Sequence, residues 1–328
     1  MAHEVENMFY VGETPWHGIG VPLKDTPTIE EAIRLSGLDW KVRTVPLYME
    51  KPWQEENKWL FESNAPDVHG FTKVAAKAVV RESDGTILAD HVGYRWTPLQ
   101  NNEAFQWFQP FIDNKLAQLE CAGSLRGGKR VFVLARLSLE DSVIVPKAND
   151  VIRKYILLSN GHDGLLAVRV GFTPIRVVCA NTLAQAHNGT SKLIRVCHSR
   201  NVKNNINELR DIMNCANQEF EATADKFRWL ASKNINSVDL KKYIVTVLSL
   251  QKDEKGKRVG QVIKLFERGF GNDVNGVRGS WWAAYNAVTE HLSYERGRDK
   301  DSRLDNLWFG SGKRINTTAL TTALQLAA

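Results

Sequence analysis

No apolar run in this chain approaches the roughly 20 residues needed to cross a bilayer. The opening MAHEVENMFYVGETPWHG has neither the basic start nor the apolar centre of a secretory signal. Both absences point to an intracellular protein of a cytoplasm. Cysteine is scarce: Cys121, Cys179, Cys197 and Cys215 lie far apart in apolar-patterned segments. In an intracellular chain that spacing predicts buried thiols, not disulfides. Zinc sites draw about four ligands from local pairs, and the only close pair here is Cys197-His198, neighbours that fall on opposite sides of a strand. No metal or cofactor is expected. A G-x-S-x-G nucleophile elbow is also missing.

What the chain does have is an uneven charge. The net charge of +6 over 328 residues is modest. Residues 121–210, however, hold 14 Lys and Arg against 5 Asp and Glu, a balance of +9, and the rest of the chain carries −3. A basic excess gathered in one segment predicts a polyanionic partner more strongly than the total does.

That segment contains the most informative stretch, YILLSNGHDGLLAVRVGFTPIRVVCANTL. Val168, Val170 and Phe172 alternate with Arg169, Gly171 and Thr173, the period of a strand with one buried face. Ile175, Val177 and Cys179 then alternate with Arg176 and Val178. Pro174 lacks a backbone donor and implies an edge, bend or bulge between the two runs. This pattern predicts a sheet with one apolar face and arginines on the other. Asp84-Gly85 between Val74–Val80 and Ile87–Tyr94, and Gly127-Gly128 before Arg130–Leu137, mark two further hairpins.

Helical signals flank and follow the strands. Thr28 precedes a helix stopped by Gly37, and Asn101 is placed to cap a helix from Asn102 to Phe111. From Ile206 the apolar positions run Ile206, Leu209, Met213, Ala216, Phe220, Thr223, Phe227 and Leu230, a narrow helical seam expected to pack on the protein's own helices. Further helices are expected at Val238–Leu250, Val259–Arg268, Trp281–Arg296 behind the cap Ser280, and a short one with Ala319, Leu320, Ala323 and Leu324. Trp96, Trp107, Trp281, Trp282 and Trp308 are expected in the core. The fold class is therefore α+β: an antiparallel β-hairpin sheet with helices over residues 1–200, followed by a helical C-terminal half over 201–328 that packs on it.

Three stretches invite chemistry. GSLRGGKR, from Gly123 to Arg130, nearly matches the G-x-x-x-x-G-K-[ST] phosphate loop, but Arg130 replaces the magnesium-holding hydroxyl and starts a strand instead of a helix. It reads better as a basic hairpin tip able to approach a phosphate. His162-Asp163 resembles the metal-binding pair of phosphohydrolases, yet it sits in turn chemistry between strands. Trp16-His17 offers a stacking pair or an anchor for the N-terminal arm.

The motifs HDGLLAVRVGFTPIRVVCANTL, FYVGETPWHGIG, GSLRGGKRVFVLARL and WWAAYNAVTEHLSYERGR together resemble a phage- and plasmid-borne protein family of unknown function, over nearly the whole chain from Met8 to Leu326. The resemblance implies a mobile-element protein in a bacterial cytoplasm and brings no catalytic residues with it. In outline only, hairpins followed by helices are similar to single-strand annealing proteins, which work as rings. The expected function is thus single-stranded DNA binding and strand annealing in DNA recombination or repair, by a homo-oligomer. The nucleic-acid-binding residues would be Arg126, Lys129, Arg130, Arg169, Arg176, Lys192 and Arg195. The alternatives are a metal-dependent phosphoesterase or nuclease using His162, Asp163 and His17, and a protein-binding anti-defence factor.

Overall fold

The computed structural model describes residues 7–12, 20–50, 71–137, 142–145, 150–176, 181–182, 194–199, 220–249, 255–269, 271–273, 275–296 and 300–328. Ile206, Leu209, Met213 and Ala216 of the seam, the pair Trp16-His17, Lys192, Cys179 and Cys215 lie outside the described residues.

Two antiparallel-type sheets and a set of helices form a mixed α+β fold. The larger sheet contains β1 (Met8–Val11), β2 (Val21–Leu23), β6 (Ala117–Leu125), β7 (Arg130–Leu137), β8 (Ser142–Val145), β9 (Asp150–Gly161), β10 (Val168–Arg176), β11 (Asn181–Thr182) and β12 (Ile194–Val196). Its order is β11-β10-β9-β7-β6-β1-β2, with β12 paired to β10 and β8 to β9. All these pairs are antiparallel except β1 with β2. The smaller sheet is β3 (Val42–Glu50), β4 (Phe71–Arg81) and β5 (Ile87–Gly93). Its β4–β5 turn is the Asp84-Gly85 turn expected from the sequence: Gly85 takes φ 76°, and the Asp84 carboxylate accepts from the Thr86 amide at 3.0 Å.

One face of the large sheet carries α1 (Ile29–Leu35), α2 (Asn101–Gln106) and α3 (Gln109–Asp113). Thr28 and Glu31 form a capping box that starts α1. The helix expected from Asn102 to Phe111 is two short ones, because Pro110 cannot donate in the interior of a continuous helix. Gln100, not Asn101, stands at the cap of α2, with Glu103 reaching back to its amide at 2.9 Å. Phe105, Phe108 and Phe111 nevertheless bury together against Val131, Val133, Ile156, Val168 and Val170.

The opposite face carries α4 (described over 220–231), α5 (Ser237–Leu248), α6 (Lys255–Arg268), α7 (Trp281–Glu290), a π-helical turn His291–Glu295, α8 (Lys300–Phe309) and α9 (Ser311–Leu326). Ser280 caps α7, accepting from the Ala283 amide at 3.1 Å. Phe220, Phe227, Leu230, Trp282, Tyr285 and Trp308 share one core with Phe132, Leu134 and Ile152 of the sheet. In its described part the seam faces the protein's own interior, as expected, with the Phe227 ring 4.7 Å from that of Trp282. Trp282 also donates to the Asp150 carboxylate at 2.7 Å, a tie between α7 and the start of β9.

One expectation needs correcting. The sheet does not have one apolar and one basic face: its middle is apolar on both, since helices cover each side. Of the edge, bend or bulge expected at Pro174, the edge is found: β10 keeps unbroken register with β9 from Arg169↔Ser159 to Arg176↔Ile152. Pro174 is accommodated on the outer edge, where β12 pairs only Val168–Val170 and β11 only Ile175–Arg176. Of the cysteines, Cys121 is buried but Cys197 is exposed, and Trp96 is only half-buried.

Candidate nucleic-acid interface

At one end of the large sheet, segments distant in sequence meet. The β6–β7 hairpin turns through Arg126, Gly127 and Gly128, which take φ 56°, 63° and 87°. Successive left-handed residues favour glycine and leave the tip narrow. Arg126 and Lys129 project from it, exposed. Arg81, from the end of β4, grips this tip from the small sheet: its Nη2 donates to the Gly127 carbonyl at 2.7 Å, and its guanidinium lies 4.7 Å from the Trp40 ring centroid.

Behind the tip, strand alternation sends neighbours to different faces. Arg130, the first residue of β7, lies on the face covered by the C-terminal helices. Its Nε sits 3.5 Å from the Asp163 carboxylate, with side chains only 12% and 6% exposed. Its guanidinium also approaches the Phe309 ring, 5.8 Å to the centroid. Arg169 pairs directly opposite Arg195 between β10 and β12, so both point to the same side. Desolvation holds the Arg169 guanidinium below its ordinary pKa, and Arg195 and Arg130 push it further down. Lys313, in the first turn of α9, is likewise lowered, by desolvation first and then by Arg169.

The other face at this end gathers neutral polar groups, with the buried Arg81 guanidinium near them on the Trp40 ring. His162 is fully buried. The Asn101 amide group donates to the carbonyls of Leu38 and Trp40 at 3.2 and 3.3 Å, which turns its oxygen toward His162 Nε2 at 2.9 Å. Since that oxygen only accepts, Nε2 carries the proton and Nδ1 is a bare acceptor. Burial drops the His162 pKa to about 3, with His198 and Arg81 adding to the effect. Asn160, two residues earlier on the same pleat, donates to the Leu99 carbonyl at 2.9 Å. His198 stacks on Trp96 with centroids 4.9 Å apart and hydrogen-bonds the Thr97 carbonyl through Nδ1 at 3.2 Å.

Among the expected site residues, Arg126, Lys129, Arg130, Arg169 and Arg195 therefore come to one end. Arg176 does not. It lies seven residues along β10 from Arg169, about 23 Å away at strand spacing. Lys192 is outside the described residues. Two participants were missed. Lys313 is signalled by Ser311-Gly-Lys-Arg314, which opens a helix with basic residues and no acid, against the helix dipole. Arg81 is signalled only by being an arginine inside an apolar strand.

His162 and Asp163 turn to different partners. His162 points into the α1–α3 side and binds Asn101, while Asp163 turns to Arg130 and accepts from the Leu165 amide at 2.9 Å, closing a turn at Gly164. Among the described residues, no group of three or more His, Cys, Asp or Glu side chains is arranged to hold a metal ion. No helix among them is long and apolar enough to cross a membrane.

Fold and site together define a mixed α+β protein with a basic end on an otherwise apolar-sided sheet. The chain belongs to the DUF932 family, a domain of unknown function, which it matches over residues 89–308. Neither a curated protein nor a solved structure matches it.

Proposed function

We propose that this chain binds single-stranded DNA through the basic end of its large sheet and anneals strands in recombination or repair, for a phage or plasmid in a bacterial cytoplasm. The observation that carries this reading is a shared end of the sheet: the glycine-turned tip with exposed Arg126 and Lys129 and the facing arginines Arg169 and Arg195 lie at the same end. Phosphate oxygens are the groups such a tip and arginine pair would hold, leaving bases free to meet a complementary strand. Annealing along a long strand favours many identical subunits, so a homo-oligomer is part of the proposal.

The test is fluorescence anisotropy of a labelled oligonucleotide across a salt series. Single strands lose affinity with a log–log slope of about −0.7 per phosphate neutralised, so four to six contacts give roughly −3 to −4. Replacing Arg126 and Lys129 with alanine flattens that slope by about 1.4 on the same rule and weakens all sequences alike. Chelator has no effect. Absence of binding at about 50 mM salt, where this term is large, rejects the reading.

A further inference from the structure

We propose that Arg169, Arg195 and Lys313 form a seat for the terminal phosphate of a nucleic-acid strand, a phosphomonoester as distinct from the internal diesters. The proposal rests on the nucleic-acid reading and narrows it to one chemical group.

The geometry concentrates charge where the fold alone gives no reason for it. Arg169 and Arg195 are directly opposed on antiparallel strands, and like charges in that position repel. Lys313 brings a third cation from another element, in a helical first turn that contains no acid. A positive charge there opposes the helix dipole. The start of α9 is held at this spot by Phe309, the last residue of α8, which packs beneath the Arg130 guanidinium.

The nearby acid is already engaged, since Asp163 pairs with Arg130. Among the described residues no ion pair engages Arg169, Arg195 or Lys313, and the buried Arg169 Nε has no hydrogen-bond partner. Burial first, and the neighbouring cations after it, hold the pKa values of Arg169 and Lys313 below their ordinary values.

The shape of the charge selects the ligand. Internal diesters each carry one charge and are strung along a strand, so they call for cations in a row. A monoester concentrates about −1.5 to −2 charges on three free oxygens. The opposed Arg169 and Arg195 of β10 and β12, with Lys313 of α9 near enough to Arg169 to feel its charge, match the second case. Arg126 and Lys129, at the same end of the sheet, would then take the diesters that follow.

The experiment compares oligonucleotides of one sequence bearing a 5′-phosphate, a 3′-phosphate or hydroxyls at both ends, with inorganic phosphate as a fourth probe. One phosphorylated oligonucleotide is expected to bind about tenfold more tightly than the hydroxyl-ended one, the gain from one added charge-assisted contact. Arg169→Gln and Lys313→Gln should each erase that preference while still melting cooperatively by circular dichroism. Equal affinity for all three oligonucleotides overturns the seat and leaves the nucleic-acid reading standing. Binding of inorganic phosphate with no oligonucleotide binding overturns both. Should either variant melt without cooperativity, an excess of inorganic phosphate competing against the wild-type protein decides the question: selective loss of the phosphorylated strand supports the seat, and equal loss of all three strands sinks it.

Discussion

The two faces of the large sheet, compared at the same end, treat polar residues in opposite ways. On the α1–α3 side, His162, Asn160 and Asn101 are buried, uncharged and held by short hydrogen bonds. On the other side, Arg130 stands against Asp163, the sequence neighbour of His162, and Arg169 faces Arg195 across two strands. Adjacent residues such as His162 and Asp163 end in different dielectric surroundings because a strand turns each successive side chain over. The sequence pair that looked like one chemical unit is therefore two unrelated structural parts.

Breaking the helical side altogether should have the largest effect. Phe220 is completely buried against Phe172, with ring centroids 5.7 Å apart. Phe220→Asp places an unpaired carboxylate there, at a cost of several kcal/mol against a total stability of roughly 5–15 kcal/mol. Loss of the cooperative thermal transition is expected. A variant that melts like the parent would show that this core does not hold the two layers together.

The second effect is smaller and sharpens the contrast between rim and interior. Arg130→Ala leaves Asp163 buried without its cation, which should cost about 3 kcal/mol in denaturant unfolding. Asp163→Asn in the same background should recover part of that loss, because the stranded charge is removed. If Arg130→Ala is neutral, the pair belongs to the solvated rim.

The third concerns pH on the sealed side. His162 stays neutral in the fold down to about pH 3, whereas in the unfolded chain it takes up a proton near pH 6.5. Protons therefore favour unfolding between those values. The contribution is fully present above about 6.5, falls by up to about 1.4 kcal/mol per pH unit below it, and levels off under about 3. His162→Gln keeps a donor for Asn101 and should flatten this part of the stability curve. Identical slopes for parent and variant between pH 6 and 4 would show that the imidazole is not sealed.

Much of the fold was legible because its signals are local. The Thr28–Glu31 cap, the Asp84-Gly85 and Gly127-Gly128 turns and the Ser280 cap are each written within a few residues. β1, β2, β8, β11 and β12 were not read, since two to four residues contain too few alternations to define a period and exist as strands only through distant partners. The site was half legible for the same reason. Arg126 and Lys129 announce themselves in a turn, whereas the place of Arg176 depends on whether Pro174 shifts the register, and that of Lys313 on where α9 docks.

The strand β1 has a consequence for how the chain comes together in time. Met8, Phe9 and Tyr10 pair with Gly123, Ala122 and Cys121 of β6, so during synthesis they wait for more than a hundred residues. At ribosomal speed that is on the order of ten seconds, during which a triplet buried in the finished fold is open to chaperones or to other nascent chains. The family match begins only at residue 89. A chain trimmed to residues 89–308 would lack β1, baring the edge of β6 to strand exchange between molecules. It would also lack α9, whose Ala319, Leu320 and Ala323 belong to the shared core. The stretch matched by the family is thus narrower than the set of residues that share this core.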